Sequence, residues 1–298
     1  YMTDFVKGDY RNWEKRRCGS WRRYAPNHYA LGYLTIAGAR HLYGDPLITS
    51  DYLHLSAKRP FKKSKLRSWF LGHSGKTFDA SFQDIMTSFQ STWKADATAR
   101  GPFDNLPLVS GAPKWYTVYS SLALDADGNL FAVKRSLVKA PVLVKVLPDG
   151  TEEVLRPFGS AISQLVPDGS RLLWTETIPD KRWDLAAESR LVALEGGRIK
   201  DLAKGRRLYN PAVGPGGAIS LTEYPVKGGS AIVILDKDGR QTAAFRAPDG
   251  VQFVESAWAG DSLFVSLITP EGFGIARIIP QGGLQEVEFL VLVDHLFG

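Results

Sequence analysis

Hydrophobic residues in the N-terminal third of the chain recur every three or four positions, the spacing that buries one face of an α-helix. The clearest case is the segment 77–95, in which Thr77 is a suitable N-cap. Its apolar residues follow one another at steps of 4, 3, 4 and 4: Phe78, Phe82, Ile85, Phe89 and Trp93. The pattern predicts an amphipathic helix with this face in a core.

The segment 27–44 predicts another helix, with Asn27 as N-cap and Gly44 just beyond the last turn. Glycines inside it, Gly32 and Gly38, each cost about 1 kcal/mol of helix propensity, so we expect another backbone to pack closely there. A shorter helix is expected over 45–57, with Pro46 in its first turn. The predicted buried stripe of the 27–44 helix consists of Ala30, Tyr33, Leu34, Ala37 and His41.

From residue 113 onward the pattern changes to alternating apolar runs around tight turns, and it occurs four times. One turn of each copy is centred on Gly128, Gly169, Gly217 and Asp261, at spacings of 41, 48 and 44 residues. The other is centred on Gly150, Gly197, Gly239 and Gly283, at spacings of 47, 42 and 44 residues. Two hairpins in each repeat of about 40 to 50 residues are typical of a four-stranded propeller blade. A sandwich or a helical solenoid fits this spacing less well.

The chain is therefore predicted to be an α+β multidomain protein in which a helical subdomain precedes an all-β propeller. The expected boundaries are a helical subdomain at 1–104, a linker at 105–112 and propeller repeats at 113–298. Residues 1–112 carry 17 Lys and Arg against 9 Asp and Glu, whereas the remainder carries 20 against 22, which separates the two parts chemically. Either the ring has four blades or it is incomplete, and 288–298 is either a closing strand or a tail.

Two parts of the chain resemble known families. The turns "PDG" and "DADG", each followed by an apolar strand, resemble those of TolB-like or WD40-like propellers of bacterial envelope proteins, over residues 113–287. Residues 10–100, with "APNHYALGYLTIAGARHLYGD", "RPF" and "SGKTFDASFQDIMTSFQSTW", resemble the region after the zinc site of gluzincin-type metallopeptidases. Within that group they resemble the peptidase-MA-like envelope proteins that carry a TolB-like propeller.

The resemblance implies a helical subdomain that completes one wall of a substrate cleft, with His28, Tyr29 and Tyr33 as the candidate cleft residues. A gluzincin also needs His-Glu-x-x-His, which this chain does not contain. His28 and His41 are 13 residues apart, about 20 Å along a helix, so they cannot share a metal ion. The resemblance therefore implies zinc ligands before Tyr1, in a longer product, and we expect no metal or other cofactor in this chain.

The remaining candidate chemistry is weak. The single cysteine, Cys18, excludes an intrachain disulfide, and "SGKTF" lacks the glycine spacing of a phosphate loop. Asp125, Asp127 and Asn129 have a calcium-loop spacing without the later glutamate, which favours a polar turn. His41 is expected to be a hydrogen-bonded core residue, whereas surface positions are expected for His54, His73, the basic run 58–67 and the cluster Arg16, Arg17, Arg22 and Arg23.

Two classes of function remain open. The first is a non-catalytic interaction module that binds a protein, peptide or glycan on the propeller face or at the helical–propeller junction. The second is the distal portion of a zinc metallopeptidase whose catalytic half is absent from this chain. We expect a periplasmic, cell-envelope or secreted bacterial protein. We expect no nucleic-acid partner, because no recognised motif accompanies the basic run, and no membrane span, because no apolar run approaches roughly 18 residues.

Overall fold

The computed structural model describes residues 12–18, 27–44, 48–58, 65–101, 115–160, 162–279 and 288–293. They form two compact units, one of helices and one of strands, and the predicted linker at 105–112 lies outside the described residues. The described helices are α1 (Trp13–Cys18), α2 (His28–Tyr43), α3 (Ile48–Lys58), α4 (Lys65–Ser74) and α5 (Phe78–Arg100). The helix expected over 45–57 is thus α3, and Pro46 lies outside the described part of the chain.

The N-cap and the buried face predicted for α5 are confirmed. The Thr77 hydroxyl accepts a hydrogen bond from the Ala80 amide at 3.3 Å, which satisfies one of the free donors of the first turn. The predicted apolar face packs into one aromatic core with α2 and α4. Phe70 and Phe78 meet edge to face there, with ring centroids 5.1 Å apart, the arrangement that aromatic pairs prefer.

The caps of α2 are also confirmed, but its predicted buried stripe is wrong. The Asn27 side chain accepts the Tyr29 amide at 2.7 Å, and Gly44 ends the helix in the left-handed conformation. Tyr33, however, is 72% exposed, and His41 is exposed rather than a core residue. The face that is buried carries mostly small side chains: Leu31, Thr35, Gly38 and Ala39.

Gly38 explains which face of α2 is buried. A Cβ added to Gly38 would lie 2.2 Å from Ile85 Cγ2 and 2.9 Å from Phe89 Cε2, so α5 side chains fill the space that a larger residue would occupy. The close approach expected at this glycine is therefore present, but it is made by side chains. At Gly32 the expectation is wrong, because nothing lies within 4 Å of an added Cβ.

The basic clusters of the helical unit are only partly on the surface. Arg16 is 2% exposed, so its predicted place on a solvated face is wrong; Arg22 and Arg23 lie outside the described residues. Arg67 bridges Glu14 at 3.2 Å and Asp79 at 3.3 Å. Exposed ion pairs of this kind contribute little stability.

The described residues of the strand unit form four antiparallel four-stranded meanders. Sheet 1 comprises β1 (Thr117–Leu124), β2 (Leu130–Ser136), β3 (Val142–Val146) and β4 (Glu152–Pro157). Sheet 2 comprises β5 (Val166–Asp168), β6 (Arg171–Ile178), β7 (Glu188–Glu195) and β8 (Arg198–Arg206). Sheet 3 comprises β9 (Leu208–Val213), β10 (Ile219–Glu223), β11 (Ala231–Leu235) and β12 (Gln241–Arg246). Sheet 4 comprises β13 (Gln252–Ala259), β14 (Ser262–Thr269), β15 (Gly272–Ile278) and β16 (Glu288–Val293).

This succession of sheets is that of a β-propeller, as the repeats predict, and over the described residues it forms an incomplete ring, one of the two alternatives that the sequence left open. The first strands β1, β5, β9 and β13 lie next to one another, which makes them the inner strands of the blades. Apolar cores fill the space between sheets 1 and 2, 2 and 3, and 3 and 4. Within the described residues, extensive strand packing joins consecutive sheets but does not join sheet 4 to sheet 1. The segment 288–293 is the outer strand of sheet 4, whereas Gly283 and 294–298 lie outside the described residues.

The interface between sheets 1 and 2 contains a buried carboxylate. The Glu176 side chain, 4% exposed, accepts hydrogen bonds from Arg156 Nη2 at 3.0 Å, from Arg190 Nη2 at 2.6 Å and from Trp174 Nε1 at 2.9 Å. Arg190 also pairs with Asp201 at 3.4 Å, so the two arginines face two carboxylates and the desolvation cost of the cluster is offset in the folded protein.

The interface between sheets 2 and 3 requires a glycine. Gly239, in the turn after β11, has a φ of +88°, and an added Cβ would lie 2.2 Å from the Leu202 carbonyl oxygen of β8. No other residue fits both the conformation and the contact. The turn is also closed by Asp236, whose Oδ1 accepts the amides of Asp238 at 2.9 Å and Arg240 at 2.8 Å.

Candidate functional site

A groove of about 650 Å³ opens between sheets 2 and 3, where the loop after β6 and the loop after β10 lie side by side. The first loop, 179–187, joins β6 to β7, and the second, 224–230, joins β10 to β11. We call this site the inter-blade groove. It is lined by Trp183, Leu185, Ala186, Glu188, Gly205, Arg206, Arg207, Glu223, Tyr224, Pro225 and Val226.

The first loop presents apolar side chains to solvent because a local polar contact shapes it. Asp180 Oδ1 accepts the amides of Arg182 at 2.8 Å and Trp183 at 2.9 Å, and these hydrogen bonds lower the pKa of Asp180 below its ordinary value. A 3-10 turn over Asp184–Ala186 follows. Trp183 is 70% exposed and Leu185 is 89% exposed. The loop thus holds two large apolar side chains outside any core.

The second loop adds a third exposed apolar side chain to the groove. Val226 is 88% exposed, in a turn closed by a hydrogen bond from the Gly228 amide to the Pro225 carbonyl at 3.0 Å. Tyr224, at the start of the loop, donates its hydroxyl to the Phe253 carbonyl at 3.0 Å. This tyrosine connects the groove to sheet 4 and fixes one side of the opening.

Arg206 and Glu223 on the groove lining neutralise each other's charge. Arg206 Nε donates to Glu223 Oε1 at 2.7 Å and Nη2 donates to Oε2 at 2.6 Å, which is a bidentate ion pair. Its third nitrogen, Nη1, donates to Gln241 Oε1 at 2.8 Å. Each charge is therefore neutralised within the protein, and these contacts use three of the five N–H donors of Arg206.

The neighbouring Arg207 differs. Its Nε donates to the Ala187 carbonyl at 3.2 Å, which ties the arginine to the first loop. Across the part of the chain that the structure describes, its terminal Nη1 and Nη2 groups have no hydrogen-bond partner. The carboxylate of Glu188 likewise has no ion pair with any described residue. Among the lining residues that the structure describes, the groove therefore contains one guanidinium and one carboxylate without an ion pair.

A second, smaller hollow of about 340 Å³ lies at the turns of sheets 1 and 2 and contains the calcium-like spacing of the sequence. Asp125 Oδ1 accepts the amides of Asp127 at 3.0 Å and Asn129 at 2.8 Å, and Oδ2 accepts Asn129 Nδ2 at 2.8 Å. The Asn129 side chain thereby lowers the pKa of Asp125. These carboxylate oxygens serve a polar turn, and no group of three or more metal-ligating side chains is found among the described residues.

The residues proposed from sequence as a cleft wall lie elsewhere. His28, Tyr29 and Tyr33 are exposed together near the start of α2, and the rings of His28 and Tyr29 are 4.4 Å apart. They line neither the inter-blade groove nor the smaller hollow. The groove residues were not predicted from the sequence. A signal was nevertheless present, because Trp183 and Leu185 are large apolar residues in the otherwise polar loop "PDKRWDLAAE".

The fold and the groove define a β-propeller, and comparison with known proteins adds little beyond that class. No protein-family model matches the sequence, and no curated protein matches it. Similar solved structures include the propeller domain of the trilobed protease from Pyrococcus furiosus, with 12% identity, a TM-score of 0.43 and coverage of 59% of this chain and 58% of that chain.

Two further structures are propellers of different described function. Regucalcin, a calcium-binding protein from Agrobacterium tumefaciens, has 18% identity, a TM-score of 0.36 and coverage of 50% of this chain and 53% of that chain. A gluconolactonase from Xanthomonas campestris has 16% identity, a TM-score of 0.35 and coverage of 55% and 63%. This chain spans less than two thirds of each of these relatives, and likenesses this distant carry no argument about activity.

No helix in the described ranges combines the length and the apolar character that a membrane crossing would require.

Proposed function

We propose that the strand unit is a non-catalytic interaction module that binds a peptide or an exposed segment of a protein in the inter-blade groove. The observation that carries the proposal is the gathering of three large exposed apolar side chains, those of Trp183, Leu185 and Val226, around one concavity. Exposed apolar clusters of this kind mark interaction sites, and tryptophan is enriched among the residues that dominate binding energy.

The size and the construction of the groove support the same proposal. A volume of about 650 Å³ lies within the range of ligand sites, which is about 300–1,000 Å³. Its rim consists of two loops on a rigid sheet scaffold, the arrangement in which loops commonly supply binding residues. Holding Trp183 and Leu185 in water costs free energy that a bound apolar side chain would recover, at about 25 cal/mol per Å² of covered apolar surface.

The proposal is tested by selecting a phage-displayed library of random heptapeptides on the full chain, followed by affinity measurements with the selected peptides. We expect Leu185→Ser and Val226→Ser each to weaken binding several-fold or more. The matched controls Leu122→Ser and Val154→Ser change exposed residues of the same types in sheet 1 and should leave binding unchanged. Equal effects of the groove variants and the controls would contradict the groove as the binding site.

The proposal includes a location outside the cytoplasm, in the bacterial periplasm, cell envelope or medium, which the resemblance to TolB-like propellers of envelope proteins supports. Fractionation of cells that express the full-length product, with detection of the propeller unit, tests it. Recovery only with the cytoplasmic fraction would contradict this part of the proposal.

A second candidate function is that of a distal portion of a zinc metallopeptidase of the peptidase-MA-like group. The observation that favours it is the joint exposure of His28, Tyr29 and Tyr33 at one end of α2, where they are available to face a substrate. Its test is the zinc content and peptidase activity of the full-length gene product. A full-length product without a His-Glu-x-x-His segment would exclude this candidate.

A further inference from the structure

We infer that the inter-blade groove selects a peptide segment in which one acidic residue adjoins a large apolar residue, with the acid bound by Arg207 and the apolar side chain packed on Trp183 and Leu185. The inference deepens the proposed function and rests on it. It specifies the chemical class of the ligand, which the apolar patch alone does not.

The apolar part of the ligand is inferred from the exposed apolar side chains of the two loops that border the groove. Trp183 and Leu185 come from one loop and Val226 from the loop opposite, so an apolar side chain entering between the loops covers surface on both sides. A flat apolar surface would accept many partners. A concavity bounded by two loops limits the ligand to a side chain that fits between them, which is the usual basis of peptide recognition by pockets.

The acidic part of the ligand follows from Arg207, an arginine of the lining that has no ion pair with any residue the structure describes. Arg206 already forms a bidentate ion pair with Glu223, so its charge is neutralised and does not attract a ligand carboxylate. Arg207 is held through Nε by the Ala187 carbonyl, which leaves its two terminal nitrogens available. A guanidinium anchored in this way presents parallel N–H donors that match the two oxygens of a carboxylate.

The charge around the groove also favours an acid, but only one. The strand ends and loops that form the site, 180–188, 204–207 and 223–227, carry six basic residues against four acidic ones. Of the acidic side chains that the structure describes, Glu223 is paired with Arg206, and Asp180 accepts hydrogen bonds from two amides of its own loop. Glu188 remains unpaired in the lining and would repel a second ligand carboxylate. A single acid next to an apolar residue is therefore preferred over an acidic run.

The experiment uses the heptapeptides selected on the full chain and compares each with a synthetic partner in which its acidic residue is replaced by the amide, Asp by Asn or Glu by Gln. Because hydrogen bonds to charged groups are stronger than neutral ones, we expect the amide peptide to bind at least about tenfold more weakly. This comparison uses the wild-type protein and does not depend on the folding of a variant. Enriched peptides without any acidic residue would overturn the inference.

Variants then assign the acid to Arg207. Arg207→Gln should bind the acidic peptide about as weakly as the wild-type protein binds the amide peptide. Glu188→Gln should bind peptides with two acidic residues more tightly than the wild type does. The matched control is Arg198→Gln, an exposed arginine at the other end of β8, which should leave both affinities unchanged. An Arg207→Gln protein that still discriminates the acid from the amide would overturn the assignment.

The outcomes separate this inference from the proposed function. If Leu185→Ser weakens binding but the acid and amide peptides bind equally, the groove is the site and the inferred ligand class is wrong. If Leu185→Ser has no effect, the proposed groove itself is wrong, and the inference fails with it. Failure to enrich any peptide above the library background contradicts both.

Discussion

The packing of α2 on α5 predicts that alanine at two glycines of α2 will affect the stability of the helical unit differently. Gly38 and Gly32 both lie inside α2, and alanine at either position gains about 1 kcal/mol of helix propensity. At Gly32 an added Cβ meets nothing within 4 Å, so Gly32→Ala should stabilise the helical unit by about 1 kcal/mol. No steric cost offsets this gain, because the added methyl group contacts no described atom.

At Gly38 the same methyl group would lie 2.2 Å from Ile85 Cγ2 and 2.9 Å from Phe89 Cε2, so either α5 side chains must move or the helices must separate. Overpacking of this kind costs about 1–3 kcal/mol. After the propensity gain, Gly38→Ala should leave stability unchanged or lower it by up to about 2 kcal/mol. The two alanine variants should therefore differ by about 1–3 kcal/mol, which is the overpacking term alone.

The assay is urea denaturation of the full chain, followed by far-ultraviolet circular dichroism in the helical band. A double variant supplies the control: Ile85→Ala removes the atom that Gly38→Ala would strike, so Gly38→Ala should cost less in that background than in the wild type. Equal stabilisation by Gly32→Ala and Gly38→Ala would refute the argument that Gly38 is the contact that orients α2.

Three further predictions concern the strand unit. Gly239→Ala should destabilise it by about 1–3 kcal/mol more than Gly128→Ala does. Both glycines have a positive φ, but only at Gly239 would the added Cβ collide with a carbonyl oxygen. Paired urea denaturations measure the difference. Glu176→Gln should cost about 3 kcal/mol by the same assay, because two arginines lose their buried anion, and a cost below about 1 kcal/mol would contradict the role of that cluster. The backbone amides that bind Asp236, that of Arg240 first, lower its folded-state pKa. The stability that the ionised Asp236 contributes is therefore present above the unfolded pKa of about 3.9 and is lost as the pH falls through the folded-state pKa. Denaturation across this pH range should show Asp236→Asn less stable than wild type at neutral pH and equally stable at the acid end, whereas Asp238→Asn should not show this convergence.

The parts of the fold that could be predicted from sequence are those set by local chemistry. The propeller blades follow from turns whose Gly and Asp residues sit at repeating distances, because tight hairpins restrict which residues they accept. The caps Asn27 and Thr77 act on amides two or three residues away, so their identity suffices. The buried face of α5 could be predicted because it carries large aromatic side chains at helical spacing.

The parts that could not be predicted depend on distant partners. The buried face of α2 is determined by Ile85 and Phe89, which lie more than 40 residues beyond Gly38. Because these side chains pack against Gly38, the glycine rather than Tyr33 faces the core. Arg16 belongs to a basic run in sequence but is buried in the fold. The inter-blade groove forms because two loops about 40 residues apart come together when sheets 2 and 3 pack. The residue pattern within either loop does not predict this contact.

The most direct test of the binding proposal is to observe the tryptophan indoles by NMR while a selected acidic heptapeptide is added to the full chain. The chain has eight tryptophans, of which Trp183 lines the groove, Trp174 is buried in the core between sheets 1 and 2, and Trp258 packs in sheet 4. We expect the indole N–H resonance of Trp183 to shift until the peptide saturates the groove, while those of Trp174 and Trp258 stay in place. A peptide that binds and shifts other indoles while leaving Trp183 unchanged would contradict the inter-blade groove as the binding site.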